Sequence, residues 1–317
     1  MYKALLDASY VGAVLNETQL AANYSASAAS LGAAINSILW NETAGTYNSG
    51  INNSATGEVV VFDPTVHATM IALQRGIVPA ERAASVVAWF LEYFQRIGGF
   101  HCCTNPDYEV RDLGTWLGLY LRIIELSVSQ AMIAERAGIN MTVSYYWAFQ
   151  VLYGLDTPAG DALALSEMRR QWGNMLLATD IDTLWESFAD SESCHNYGAV
   201  PAYFLSAYLL GVRIAGPVWE PGALRIEPRL GGLPAVSGAV VTELGVVNCA
   251  WSLNSTALTF SVTLPPATGA VPLRLAGMNG STLVINGVAT PTTSDGRYAV
   301  AVLPGPGNFA GSIGVAS

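Results

Sequence analysis

The amino-acid sequence predicts a mainly α plus β protein in which a domain of helix pairs precedes an antiparallel β-sandwich. Upstream of residue 215, apolar residues recur at intervals of three and four, which is the spacing of helices that bury one face. Downstream, short runs rich in Thr, Val and aromatic residues are separated by Gly and Pro, which is typical of a sandwich. Pro217, Pro221 and Gly222 indicate a short fixed joint, so the predicted domains are residues 1–216 and 217–317.

Seven segments of the first domain carry the helical spacing, and turn residues separate them. Loops of this length between successive helices favour antiparallel pairs. The segments are 20–39, 66–73, 80–94, 113–126, 145–152, 162–177 and 201–212, with weaker signals at 129–136 and in the opening residues. The strands predicted for the second domain are 223–226, 239–243, 246–253, 257–264, 271–275, 282–285 and 298–303.

The composition describes a globular chain with few charges. Of its 317 residues, 51% are hydrophobic and 12% are charged, and the net charge is -10. No cluster of Lys and Arg is present to neutralise phosphates, so no nucleic acid is expected as a partner. No uninterrupted apolar run reaches the roughly 20 residues that a membrane helix requires, so no membrane association is expected.

Neither a cofactor nor a metal ion is predicted. The cysteines Cys102, Cys103, Cys194 and Cys249 lack the spacing of a zinc site, and His101 has no spaced partner residue. We interpret the cysteines as buried thiols. The alternative is a disulfide from Cys102 or Cys103 to Cys194.

The sequence contains several acceptor motifs for N-glycosylation. Asn-X-Ser/Thr begins at Asn16, Asn23, Asn41, Asn52, Asn140, Asn254 and Asn279. Such motifs also arise by chance, and glycosylation requires entry into the secretory pathway. The N-terminal residues contain no apolar segment that ends in a small-residue cleavage site, so we expect no signal peptide in this chain. For the parent protein we expect secretion or an extracellular location.

The most informative segment runs from Asp182 to Glu186 and is followed, nine residues after the glutamate, by His195. Hydrolysis of a glycoside needs two carboxyl groups, one that protonates the leaving oxygen and one that activates water or attacks the anomeric carbon. Glu186 is the candidate for one of them, and Trp185 can form an apolar wall beside it. His195 and Tyr197 can hydrogen-bond sugar hydroxyls. The segment therefore predicts a glycosidase pocket, with a solvated or helix-capping Glu186 as the alternative.

A series of motifs in a defined order lies between residues 168 and 242. These are MRRQWGNML from Met168, DTLWESF from Asp182, CHNYGAVPAYF from Cys194, LLGV from Leu209, WEPG from Trp219, LRIEP from Leu224 and GAVVT from Gly238. In this order they resemble the family 78 α-L-rhamnosidases. The resemblance implies a partial (α/α)6 toroid of helical hairpins followed by a C-terminal antiparallel β-sandwich. It also implies inverting hydrolysis of terminal α-L-rhamnosides, with a rhamnose-containing glycoside or oligosaccharide as the partner.

The resemblance assigns roles to individual residues. Glu186 matches the catalytic base, which deprotonates water, and His195 matches a histidine that lines the sugar subsite. Trp185 and Tyr197 match wall residues of the pocket. The family's proton donor belongs to an acidic segment of the early barrel that has no counterpart here, and the first residues resemble a mid-barrel helix. We therefore expect a truncated form with little or no activity of its own.

Three other functions agree with the same residues. They are hydrolysis of a different sugar by another (α/α)6 glycosidase, carbohydrate binding without catalysis, and an inactive fragment. Rhamnoside binding without turnover would favour the second of these. Exposed apolar helix faces would favour the third.

Two further positions are candidates for contact with the sugar. Asp182 lies close to the candidate base and can hydrogen-bond a sugar hydroxyl. His67 follows Asp63 and Pro64 at a predicted helix start, where Asp63 is expected to cap the helix by accepting backbone N–H bonds. His67 can reach the pocket rim or remain in the interior as a hydrogen-bonded histidine, and the spacing leaves both open.

Overall fold

The computed structural model describes residues 1–53, 59–96, 144–177, 184–186, 195–214 and 223–315. The chain forms two compact units. The first comprises Met1–Gly154 and Met175–Tyr197, and the second comprises Leu155–Asn174 and Gly198–Ser317. The predicted boundary between residues 216 and 217 lies outside the described residues, so the domain division stays a prediction.

The first unit is built mainly of helices. Its elements are α1 (Tyr2–Val14), α2 (Thr18–Ile38), β1 (Trp40–Asn41), β2 (Thr46–Asn53), β3 (Val59–Pro64), α3 (Val66–Gln74), α4 (Ala80–Arg96) and α5 (Ser144–Gly154). The helices predicted at 20–39, 66–73, 80–94 and 145–152 are confirmed as α2 to α5, whereas those at 113–126 and 129–136 lie outside the described residues. In the described part of the chain, no helix combines the length and the apolar composition needed to cross a membrane.

Small residues let α1 and α2 pack closely as an antiparallel pair. Gly12 of α1 lies against Ala21 of α2, where a side-chain carbon on Gly12 would come within 3.2 Å of the Ala21 backbone nitrogen. Near the other end of the pair, Gly32 of α2 leaves room for the ring of Tyr2. The Ser9 hydroxyl donates to the carbonyl oxygen of Ala21 at 2.8 Å, which ties the two helices together.

A three-stranded antiparallel sheet of order β1-β2-β3 follows α2 and is absent from the elements predicted above. Strand β2 is polar and Asn-rich, so it lacks the apolar alternation that predicts a strand. Its buried Tyr47 donates from the hydroxyl to Asn36 Oδ1 at 2.5 Å. The buried hydroxyls of Thr46 and Thr69 are hydrogen-bonded at 2.9 Å. Bonds to α2 and α3 therefore satisfy the hydroxyls of Tyr47 and Thr46 and hold β2 in place.

The predicted capping of α3 by Asp63 is wrong, because Thr65 caps this helix. Asp63 belongs to β3, and the following Pro64 disfavours helical backbone at residue 63. Thr65 has φ −126° and ψ 154°, and its Oγ1 accepts a hydrogen bond from the Ala68 N–H at 3.3 Å. This start places His67 in the first turn of α3.

The second unit combines one long helix with the predicted sandwich. The helix α6 (Pro158–Leu177) confirms the prediction at 162–177, although its residues from 175 onward belong to the first unit. Proline suits the first helical position, and Thr157 Oγ1 accepts a hydrogen bond from the Gly160 N–H at 3.1 Å. A 3-10 helix (Asn196–Ala199), α7 (Val200–Phe204) and a π-helical turn (Leu205–Leu209) then lead to the strands, and the first two residues of the 3-10 helix belong to the first unit.

The strands of the second unit form two sheets. They are β4 (Val212–Ile214), β5 (Leu224–Ile226), β6 (Ala235–Thr242), β7 (Gly245–Leu253), β8 (Ala257–Leu264), β9 (Val271–Ala276), β10 (Leu283–Ile285), β11 (Val288–Thr290), β12 (Thr293–Asp295), β13 (Tyr298–Leu303) and β14 (Gly307–Gly314). The six-stranded sheet has the order β11-β10-β14-β8-β7-β6, and the five-stranded sheet has the order β12-β13-β9-β5-β4. Neighbouring strands are antiparallel except β5 and β9, which are parallel.

Alternating side chains of these strands form one apolar core. Strand β8 shows the pattern clearly, since its inward residues are Leu258, Phe260, Val262 and Leu264. The same cluster includes residues of both sheets, among them the fully buried Leu273 of β9. Trp251 of β7 is buried with them and donates from its indole N–H to the carbonyl oxygen of Leu210 at 3.0 Å.

One sequence prediction in this unit needs correction, and three strands were not predicted. The helix predicted at 201–212 ends before Gly211, which adopts φ 82°. A side chain at Gly211 would collide with the backbone at Pro228, so only glycine fits this turn, and Val212 begins β4 instead. Strands β11, β12 and β14 have no prediction, because β11 and β12 are three residues long and β14 is rich in glycine.

Candidate active site

Glu186 and His195 lie side by side in the first unit. His195 Nε2 is 3.4 Å from Glu186 Oε2, and the two side chains are 35% and 28% exposed, so both groups remain accessible to water. The His195 backbone N–H donates to the carbonyl oxygen of Leu184 at 2.9 Å. This bond joins the segment that carries the glutamate to the segment that carries the histidine. The pair becomes an ion pair when the imidazole is protonated.

Trp185 anchors the segment that carries Glu186. Its side chain is 6% exposed, and its backbone N–H donates to the sulfur of Met175 at 3.4 Å. A buried residue directly before a partly exposed one places the two side chains on different sides of the chain, as in extended backbone. The buried Trp185 therefore fixes the position of the backbone that carries Glu186. Its predicted role as a sugar-contacting wall stays a prediction.

Tyr197 extends the surface formed by Glu186 and His195. It is 49% exposed, and the centre of its ring lies 6.1 Å from the centre of the His195 ring at an interplanar angle of 34°. Tyr197 belongs to the 3-10 helix that begins directly after His195. The structure therefore brings three predicted residues, Glu186, His195 and Tyr197, onto one accessible stretch of the first unit.

The side chain of His67 contacts the first residue of α5. Its Nε2 lies 3.2 Å from Ser144 Oγ, at the beginning of that helix. The ring is partly buried, and burial lowers the pKa of His67, which favours the neutral imidazole. Ser144 carries no motif that would have identified it, since it lies 77 residues from His67 in the sequence. Whether His67 also contacts a sugar stays a prediction.

Two other contacts join the C-terminal end of α3 to α5. The guanidinium of Arg75 stacks over the ring of Trp147 at 4.6 Å from its centre. The Gln74 side-chain amide donates to Gln150 Oε1 at 2.5 Å. These contacts fix the pair of helices that carries His67 and Ser144.

Several predicted residues lie outside the described part of the chain. Asp182, His101 and the cysteines Cys102, Cys103 and Cys194 are among them. Cys249 is described, and it is a buried free thiol, as predicted for this residue. Burial raises the pKa of its thiol to about 12, so it is not a nucleophile near neutral pH.

Comparison with solved structures identifies the fold. The α-L-rhamnosidase from Dictyoglumus thermophilum matches 99% of this chain with a TM-score of 0.68 and 15% sequence identity. The fold is that of an α-L-rhamnosidase. The resemblance drawn from the sequence motifs is confirmed at the level of the fold, and so is the fold class, a partial (α/α)6 toroid followed by a C-terminal sandwich.

Two further rhamnosidase structures share this fold. The GH78 family rhamnosidase of Bacillus sp. GL1 matches 80% of the chain with a TM-score of 0.57 and 22% identity. The α-L-rhamnosidase of Streptomyces avermitilis, complexed with L-rhamnose, matches 98% with a TM-score of 0.55 and 14% identity. The matched regions are 31%, 23% and 26% of the three enzymes, so the chain spans a third or less of their length. No family model matches the sequence, and no curated protein matches it.

Proposed function

We propose that the chain carries part of the active site of a glycoside hydrolase that cleaves terminal α-L-rhamnosides with inversion. The observation that carries the proposal is the pair formed by Glu186 Oε2 and His195 Nε2 at 3.4 Å, in a chain with the fold of an α-L-rhamnosidase. Glu186 is proposed as the catalytic base. A partly exposed carboxylate is suited to this role because water can reach it.

The proposed chemistry uses Glu186 to activate water. In an inverting enzyme the base removes a proton from a water molecule, and the water oxygen attacks the anomeric carbon from the face opposite the leaving group. The imidazole of His195 is close enough to orient the carboxylate and to keep it apart from bulk solvent on one side. Because Trp185 is anchored, it limits the movement of the backbone that carries Glu186.

The remaining predicted residues complete the proposal. His195 and Tyr197 would hydrogen-bond sugar hydroxyls, and Asp182 and His67 would contribute further contacts. The partner would be a rhamnose-containing glycoside or oligosaccharide. We also propose the helical domain at residues 1–216, the sandwich domain at 217–317, and a secreted or extracellular parent protein.

A substrate that needs no proton donor gives the direct test. In α-L-rhamnosyl fluoride the bond from the anomeric carbon to fluorine breaks with fluoride as a stable leaving group. Water then supplies the new oxygen, and Glu186 accepts its proton. We expect fluoride release above the spontaneous rate, and a loss on the order of 100- to 10,000-fold in Glu186→Gln.

The control variant is Glu17→Gln, which removes an exposed carboxylate of the same unit. It should leave the rate unchanged. Equal rates for the unmodified chain and Glu186→Gln would contradict the proposal. Binding of L-rhamnose that is weakened in His195→Ala, without any fluoride release, would instead support a carbohydrate-binding protein without catalysis.

A further inference from the structure

Acceptor motifs for N-glycosylation occur more often than the composition explains. The chain has 16 asparagines and 45 serines and threonines among 317 residues, and seven asparagines are followed by Ser or Thr at the required position. Random placement would produce about two such motifs in a chain of this composition, and the excess favours selection for acceptor sites. Two of the described sites, Asn254 and Asn41, differ in the hydrogen bonds that the asparagine amide makes.

Asn254 has the arrangement that suits an attached glycan. It lies in the turn between β7 and β8, and Asn254, Ser255 and Thr256 are all exposed. Its Oδ1 accepts hydrogen bonds from the Thr256 N–H, the Thr256 hydroxyl and the Ala257 N–H, at 2.9, 2.9 and 2.8 Å. These bonds use the carbonyl oxygen of the amide. Among the described residues, the Nδ2 that would carry the sugar has no hydrogen-bond partner.

Asn41 shows the opposite arrangement. Its Nδ2 donates to Asn48 Oδ1 at 2.9 Å, and its Oδ1 accepts from the Ala44 N–H at 2.9 Å. The side chain is only partly exposed and helps to form the turn between β1 and β2. A sugar on Nδ2 would replace one of its two hydrogens and place a bulky group beside the bond to Asn48, at a side chain that is only partly exposed, so a glycan at this position opposes the fold of the small sheet.

We propose that Asn254 is an acceptor for an N-linked glycan and that Asn41 stays unmodified in the folded protein. The donor is an oligosaccharide joined to a lipid through pyrophosphate. Nδ2 loses one proton and forms a bond to C1 of the first sugar, while the bond between C1 and the pyrophosphate oxygen breaks. The lipid pyrophosphate leaves with the electron pair.

Mass spectrometry of secreted chain tests this assignment. The full chain is produced in yeast behind a cleavable leader, and peptide N-glycosidase is applied in water labelled with oxygen-18. Conversion of Asn254 to labelled aspartate in most molecules is the expected result, with Asn41 unlabelled in the secreted fraction. If little chain is secreted, glycosylation of Asn254 can be measured on chain recovered from the cells, because the oligosaccharide is transferred to the chain during its translocation.

Substitutions at Thr256 distinguish the requirement for the hydroxyl of the acceptor motif from the shape of the turn. Thr256→Ser keeps the hydroxyl and should keep the glycan, whereas Thr256→Val has a similar shape without the hydroxyl and should lose it. An unmodified Asn254 in the otherwise unchanged chain would overturn the proposal. Equal occupancy of Asn41 and Asn254 in the secreted fraction would overturn the role given to the amide hydrogen bonds.

Discussion

The β-sandwich and the α1–α2 pair differ in how much of their apolar surface they bury. The sandwich encloses one continuous cluster with residues of both sheets, such as Ile226 and Val262, which are fully buried. The buried residues of α1 and α2 are small, and six larger apolar side chains are exposed: Tyr10, Val11, Val14, Leu15, Leu20 and Ile38.

The two regions also place their charges differently. Helix α2 contains no charged residue, and α1 contains only Lys3 and Asp7, which form an exposed ion pair. The second unit buries its charges instead, since Arg229 and Asp161 are 3% and 6% exposed and form an ion pair. The second unit therefore has a self-contained core with internal polar contacts. The α1–α2 pair has the composition of helices that are covered by further protein.

Loss of the buried ion pair should have the largest effect on stability. In Arg229→Met, Asp161 keeps a buried carboxyl group without its main partner, and we expect a decrease of about 3–5 kcal/mol in the free energy of unfolding. Lys3→Met breaks the exposed pair with Asp7 in α1 and should cost less than about 1 kcal/mol. Urea unfolding followed by circular dichroism measures both. Equal losses would mean that the two ion pairs do not differ as their burial indicates.

Truncation of a core leucine should have the next largest effect. Leu273 is 0% exposed, and Leu273→Ala is expected to cost about 2–5 kcal/mol because it leaves a cavity between the sheets. Leu15 is 65% exposed, and Leu15→Ala should change the free energy of unfolding by less than about 0.5 kcal/mol. The same unfolding experiment compares the two. A large loss in Leu15→Ala would show that α1 is already covered in the chain by itself.

The effect of pH on stability should be smaller than the effects of Arg229→Met and Leu273→Ala, and it should arise from Asp156. Burial raises the pKa of this carboxyl, but hydrogen bonds from Tyr298 and Arg297 outweigh burial, and the net effect lowers it. Because the folded-state pKa is the lower one, the stabilising contribution is present above a pH of about 4 and is lost as the pH falls through the folded-state value.

Asp156→Asn removes this contribution. Its stability deficit relative to the unmodified chain should therefore be full near neutral pH and should narrow in acid, as measured by urea unfolding at a series of pH values. Tyr298→Phe removes one of the three hydrogen bonds that Asp156 accepts from Tyr298 and Arg297, and it should show part of the same dependence. A deficit that grows as the pH falls would reverse the sign and contradict the assignment.

The exposed face of α1 should bind an apolar dye, and a substitution on this face should change dye binding with little change in the free energy of unfolding. Val14→Lys is expected to reduce the fluorescence of an apolar dye, because Val14 lies among several exposed apolar side chains. Val288→Lys, at an exposed valine of β11, is the matched control and should have little effect. A similar reduction of dye fluorescence in both variants would mean that α1 does not differ from the sandwich in its exposed apolar surface.

The sequence predicted the elements whose apolar spacing is regular. Strands β8 and β13 agree residue for residue with the predictions at 257–264 and 298–303, because alternating side chains enter the core. Strand β2 could not be predicted, since hydrogen bonds from Tyr47 and Thr46 to helices hold a polar segment in place. The end of the helix at Gly211 depends on the distant Pro228, which the local sequence does not show.

The candidate site shows the same division between local and distant information. Glu186, His195 and Tyr197 are close in the sequence, and the motif that contains them predicted their proximity. The contact between His67 and Ser144 depends on the packing of α3 against α5, so no local pattern could indicate it. The position of Asp182 stays a prediction.

The stereochemistry of rhamnosyl fluoride hydrolysis tests the central claim most directly. Proton NMR during the first turnovers should show β-L-rhamnose as the initial product, because water activated by Glu186 attacks opposite to fluoride. In Glu186→Gln this product should disappear, and added azide, which needs no base, should form β-L-rhamnosyl azide. Initial formation of α-L-rhamnose, or unchanged hydrolysis in Glu186→Gln, would contradict the role of Glu186 as the base of an inverting enzyme.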